Sequence, residues 1–135
     1  FGNGATLVMA RKDDIMPGPA LAQTLRQYGV THLNLPPTAL GQLNPADLPT
    51  VQTVISAGEA LPLSLVHQWS PVKELLNAYG PTEITVLATA RVTLPGDQQV
   101  PIGGPLANYR LYVLDPQGRE QPIGVVGELY IGGSG

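Results

Sequence analysis

The sequence predicts an α/β fold that passes into antiparallel β-structure at its end. Three observations carry this. Short apolar runs alternate with amphipathic helical stretches over the first two-thirds of the chain. The 16 glycines and 14 prolines gather at the joins between them, as turn residues do. After about residue 93 the helical spacing gives way to β-prone runs. Strands spaced by helices imply βαβ units and parallel pairing.

Taken in order, residues 5–10 (ATLVMA) form an apolar run with the length of a buried strand. Residues 18–28 predict a helix, with Leu21, Leu25 and Tyr28 at i, i+4 and i+7 and Gly29 as the stop. Residues 30–35 (VTHLNL) read as a second strand, ended by Pro36-Pro37, and residues 51–55 (VQTVI) as a third. Residues 62–69 suit a helix with Pro62 in its first turn and Leu61, Leu65 and Trp69 along one face. Residues 74–78 (ELLNA) are a fourth strand, running into Tyr79-Gly80-Pro81. Residues 85–92, 109–114 and 127–131 are β-prone, and Asp115-Pro116-Gln117-Gly118 has turn chemistry. The chain therefore divides into an α/β unit at 1–93 and a β-rich segment at 94–135.

Composition narrows the function classes. Hydrophobic residues make up 43% and charged residues 13%, which suits a packed domain. The net charge of −3 offers no basic face for nucleic acid. There is no cysteine, so thiolate metal sites and thiol nucleophiles are excluded. The longest apolar run falls well short of the roughly 20 residues a membrane helix needs. A cytoplasmic location is expected. Both ends stand close to strand-like runs, so the chain reads as an internal piece of a larger domain.

In a parallel α/β sheet, ligands sit beyond the carboxyl ends of the strands. Three loops leave such ends: Leu35-Pro36-Pro37-Thr38, Ser56-Ala57-Gly58-Glu59 and Tyr79-Gly80-Pro81-Thr82-Glu83. Gly58 and Gly80 let backbone approach a flat ring, Thr82 offers a hydroxyl to a phosphate oxygen, and Glu83 offers a hard oxygen to Mg²⁺. Standing alone, Tyr79-Gly80-Pro81 is equally a common turn and Thr82-Glu83 equally a helix start. His32 and His67 have no carboxylate or serine pattern beside them and read as structural. Asp13-Asp14 beside Arg11-Lys12 reads as a solvated loop, and Asp97, Asp115 and Glu120 as turn residues. Gly2-x-Gly4 lacks the rest of a dinucleotide fingerprint.

Residues 77–83 (NAYGPTE) resemble the fifth core motif of nonribosomal peptide synthetase adenylation domains in every position, and residues 127–135 (GELYIGGSG) resemble the sixth. LPPTAL at 35–40, SAGEAL at 56–61 and VPIGGPLAN at 100–108 fall in the same family order. The resemblance spans the chain but only about a quarter of a full adenylation domain. It implies a flavodoxin-like parallel sheet with flanking helices. It also implies an enzyme that uses ATP and Mg²⁺ to make an aminoacyl-adenylate and then loads the phosphopantetheine thiol of a peptidyl carrier protein. Asn77 would face the adenine edge, with Gly58, Glu59, Ala78, Tyr79 and Gly80 around the ring. Thr82 would contact the α-phosphate, and Glu83 would help hold Mg²⁺. Asn34, Ile55, Ala57, Ala78, Val86 and Leu87 match selectivity-lining positions, the last two on the strand after Glu83. Together they imply a medium or large hydrophobic or aromatic amino acid. Asn34, if buried there, requires a partner for its amide.

The phosphate loop with its Lys, the amine-binding aspartate segment, the ribose-binding aspartate and the catalytic lysine of the small C-terminal domain are absent from these residues. Lys12 and Lys73 stand in no motif that replaces them. The remainder of the domain is therefore an implied partner, and the chain alone is expected to be inactive. Two competing readings remain: a piece of an acyl- or aryl-CoA ligase, and a non-catalytic α/β module that binds a nucleotide or amino acid. The module alone should bind ATP in direct titration of the isolated chain.

Overall fold

The computed structural model describes residues 3–134. Phe1, Gly2 and Gly135 lie outside it, and with them the first glycine of Gly2-x-Gly4 and the last glycine of the GELYIGGSG segment. Three parallel strands, β1 (His32–Leu35), β2 (Thr53–Ser56) and β3 (Glu74–Tyr79), lie side by side in chain order. β4 (Thr89–Val92) and the two-residue β5 (Gly104–Pro105) extend the sheet antiparallel. β6 (Tyr109–Leu114) and β7 (Glu128–Gly133) form a separate antiparallel pair. The α/β class and the trailing antiparallel pair are as the sequence predicts, and the main sheet is mixed.

The helices are α1 (Pro19–Gln27), the single-turn α2 (Pro37–Leu40) and α3 (Leu63–Trp69). Gly29 ends α1 as expected, at φ +61°: its N–H bonds to the Arg26 carbonyl and the Val30 N–H to that of Leu25. These two bonds satisfy carbonyls that the last turn leaves open. Pro62 stands one position before α3 as its N-cap, its carbonyl accepting from Leu65 and Val66. The helices press Leu21, Leu25, Leu40, Leu65, Val66 and Trp69 against Val54 and Leu75 of the sheet. Trp69 is the largest fully buried side chain, and burial of such groups is the main favourable term in the fold.

Side chains alternate across a strand, so one face of β1–β3 meets the helices and the other does not. The second face carries His32, Asn34, Thr53, Ile55, Glu74 and Leu76, all exposed or half-buried. The flanking helices thus cover one face only.

Three local expectations are corrected. Residues 5–10 form no strand, and Leu7 and Met9 are exposed. An apolar run needs a ladder partner to become a strand, and it has none among the described residues. Tyr28 is the C-cap of α1 and points outward, because the helix ends before its side chain completes the buried stripe. Residues 85–92 are strand only from Thr89, since Thr85 and Val86 adopt φ of +62° and +77° and break the extended run.

Polar side chains outside the core pin the loops. His67 pairs through Nε2 with the Asp97 carbonyl, and Lys73 Nζ donates to the Leu48 carbonyl at 2.7 Å, so both are structural. Asp97 and Asp115 do close turns: Leu94 N–H donates to Asp97, and the N–H groups of Gln117 and Arg119 to Asp115. Arg91 also grips Asp97 with two nitrogens, at 2.9 and 2.7 Å. The Arg91 guanidinium and the Leu94 N–H hold the Asp97 carboxyl below its ordinary value, and the Arg119 and Gln117 bonds do the same for Asp115. Both groups bind protons less readily folded than unfolded. Their contribution is therefore complete above about pH 4 and is lost as pH falls further. Asp97→Asn is expected to flatten the acid side of a Tm-against-pH profile, and an unchanged profile contradicts this account.

Candidate functional site

The carboxyl ends of β1, β2 and β3 bring the three loops picked out in the sequence to one end of the sheet. Between the second and third lies a cleft of about 400 Å³. Gly58, Glu59, Asn77, Ala78, Tyr79 and Gly80 all line it, joined by Pro81. The six residues that the resemblance set around the adenine are thus gathered in one place, while Thr82, set against the α-phosphate, is not among the lining.

The sequence reading missed the roof. Val100 and Ile102 complete the cleft, a role that the family motif at residues 100–108 does not by itself reveal. Two hydrogen bonds hold this segment in place. Asn77 Nδ2 donates to the Pro101 carbonyl at 2.9 Å, and Thr89 Oγ1 to the Ile102 carbonyl at 2.7 Å. Asn77 and Thr89 are both buried, so each bond forms where water does not compete. Gly103, at φ +90°, lets the segment turn against β4.

Glu59 does more than lend its backbone. Its carboxylate accepts from the Thr38 N–H at 3.1 Å and the Thr38 hydroxyl at 2.9 Å. This ties the loop after β2 to the first turn of α2, so the cleft wall is fixed from outside. Gly80 is needed for a close approach: an added Cβ would stand 2.7 Å from Leu87 Cα and from the Val86 carbonyl.

Thr82 and Glu83 sit on a single 3₁₀ turn, Thr82–Ile84, just past the cleft, and both are exposed. No group of three or more His, Asp or Glu among the described residues is placed to hold a metal.

The six side-chain-pocket residues divide. Asn34 pairs in register with Ile55, and Ala78 lies two residues beyond Leu76, the partner of Ile55, so these three share the sheet face opposite the helices, on which Ala78 is buried. Ala57 follows the end of β2 and is half-buried. Val86 and Leu87 lie in the loop before β4, which corrects their placement on a strand. Asn34 is exposed, so its amide carries no burial cost and needs no internal partner here.

The family model for AMP-binding enzymes matches residues 1–135. The chain belongs to the AMP-binding enzyme family. Among curated relatives, bacitracin synthase 3 of Bacillus licheniformis is 46% identical over 130 residues, covering 96% of this chain and 2% of that protein. Novobiocin biosynthesis protein H of Streptomyces niveus is 42% identical over all of this chain and 22% of its own length. A solved four-domain nonribosomal peptide synthetase, bound to AMP and glycine, superposes with a TM-score of 0.81 at 34% identity, covering 92% of this chain and 10% of that one. The resemblance to nonribosomal peptide synthetase adenylation domains is borne out along nearly the whole chain of this AMP-binding family member. The chain spans only a small part of the relatives it matches. No helix among the described residues is long and apolar enough to cross a membrane.

Proposed function

We propose that this chain supplies the adenine wall, the phosphate-side turn and part of the side-chain pocket of an amino-acid adenylation domain. The convergence of the six adenine-side candidates on one roofed cleft carries the reading. In the complete domain the amino-acid carboxylate attacks the α-phosphorus of ATP and pyrophosphate leaves. A carrier-protein phosphopantetheine thiol then takes the aminoacyl group and AMP leaves. Asn77 reads the adenine edge, Gly58, Tyr79 and Gly80 flank the ring, and Thr82 offers its hydroxyl to the α-phosphate. The carboxylate and the phosphate are both anionic, so fixed donors and a cation must offset their repulsion. Mg²⁺ takes one or two carboxylates and completes its shell with phosphate oxygens and water. An exposed Glu83 carboxylate fits that donor set.

Ile55, Val86 and Leu87 make the substrate wall apolar, while Ala57 and Ala78 leave volume beside it. The expected substrate is a medium or large hydrophobic or aromatic amino acid. Residues 1–135 grafted into a complete adenylation domain of known preference should move amino-acid-dependent pyrophosphate exchange toward such a substrate. The isolated chain should show none. A folded, active graft that keeps its host's preference removes the pocket assignment. Exchange by the isolated chain removes the dependence on the rest of the domain.

A further inference from the structure

The loop between β3 and β4 carries both chemistries assigned above. Thr82 and Glu83 stand on its outgoing side, Val86 and Leu87 on its return. Its neck is closed by the Ala88 N–H donating to the Tyr79 carbonyl at 2.9 Å. Inside it, Thr85 and Val86 are consecutive β-branched residues at positive φ, a region where such side chains crowd their own backbone. Conformations of this kind persist only when the surroundings hold them.

Tyr109 supplies that hold. Its hydroxyl donates to the Ile84 carbonyl at 2.6 Å, in a half-buried contact across 25 positions. Among the described residues, no other side-chain hydrogen bond from outside reaches residues 80–88. Tyr109 is the first residue of β6 and is itself anchored at the neck of the same loop. The Leu106 N–H bonds to the Ala88 carbonyl at 2.8 Å, and the Tyr109 N–H to the Leu106 carbonyl at 3.0 Å. One short turn, residues 106–109, therefore hangs from the loop's neck and reaches back to its far side.

We infer that Tyr109 is a positioning residue: its phenol latches the loop at Ile84 and so sets the phosphate-side pair and the selectivity pair together. The functional half of this inference rests on the adenylation reading, but the latch does not. Ile84 lies directly after Glu83 and two residues before Val86, so one bond constrains both sets. The lining of the Asn77 cleft stops at Pro81, before the latched Ile84, and the cleft has its own ties to the roof. Loss of the phenol should therefore weaken handling of the amino acid and the chemical step more than binding of ATP.

The test is Tyr109→Phe in a complete adenylation domain carrying residues 1–135. Hydrogen–deuterium exchange over residues 80–88 should quicken about tenfold, and kcat/KM for the amino acid should fall about tenfold, the size of one net hydrogen bond. KM for ATP should change less than KM for the amino acid. Adding Thr85→Gly to Tyr109→Phe should restore part of both losses, because glycine accepts positive φ without the latch. Unchanged exchange over residues 80–88 overturns the latch. So does a loss that Thr85→Gly does not ease and that spreads over all of β6 and β7. A graft with no amino-acid-dependent turnover before any substitution overturns the adenylation reading instead, and the hydrogen exchange still decides the latch.

Discussion

Gly103→Ala is expected to destabilise the chain by about 3 kcal/mol or more, while Gly104→Ala one residue on should cost less than about 1 kcal/mol. The two glycines differ in what surrounds them. Gly103 sits at φ +90°, and a Cβ there would overlap the Ala90 carbonyl of β4 and stand 2.8 Å from Arg91 Cβ. Neither obstacle is the free end of a flexible side chain, so the segment must lift to make room. Gly104 has no positive φ and nothing within 4 Å of its modest extra carbon. Its pairing with Ala90 uses backbone alone. Urea unfolding midpoints of the two variants measure the contrast. Lifting Gly103 also moves Pro101 and Ile102, which Asn77 and Thr89 hold over the cleft. The Gly103 variant should thus lose nucleotide affinity along with stability. Equal midpoints for the two alanines contradict the packing that forms the roof.

The legible parts of this molecule are those where local pattern and tertiary packing agree. β2 and β3 stand out in the sequence because Val54 and Leu75 face a helical layer while their neighbours do not. The end of α1 is legible because only a residue tolerant of positive φ fits position 29. Residues 85–86 mislead for the opposite reason. Strand preference in Thr and Val reflects packing on a pleated surface rather than the backbone itself, and here Gly80 and Tyr79 draw the chain into a loop. The cleft wall was readable from the NAYGPTE and SAGEAL segments. The roof was not, since nothing local to residues 100–102 indicates that side chains 13 and 24 positions away donate to their carbonyls. The Thr38 bonds to Glu59 are equally non-local, at 21 positions.

Asn77→Ala is expected to raise KM for ATP about tenfold or more in pyrophosphate exchange by a complete domain carrying residues 1–135, whereas Thr89→Val should stay within about threefold. Both substitutions remove one of the two bonds that hold the roof. A carbonyl can only accept, so the Asn77 amide nitrogen must face Pro101. That leaves Oδ1 as the group with acceptor capacity to spare, at a residue that lines the cleft. The exocyclic amine of adenine is a donor, and Oδ1 is its natural complement. Thr89 lies outside the cleft lining, and its hydroxyl is already committed to Ile102, so valine removes the tie while nearly keeping the shape. If the two variants raise KM for ATP equally, Asn77 acts only by holding the roof down. If Asn77→Ala alone does so, at similar losses in unfolding midpoint, the amide reads the base directly. The same residue then orders the roof through its nitrogen and recognises the nucleotide through its oxygen.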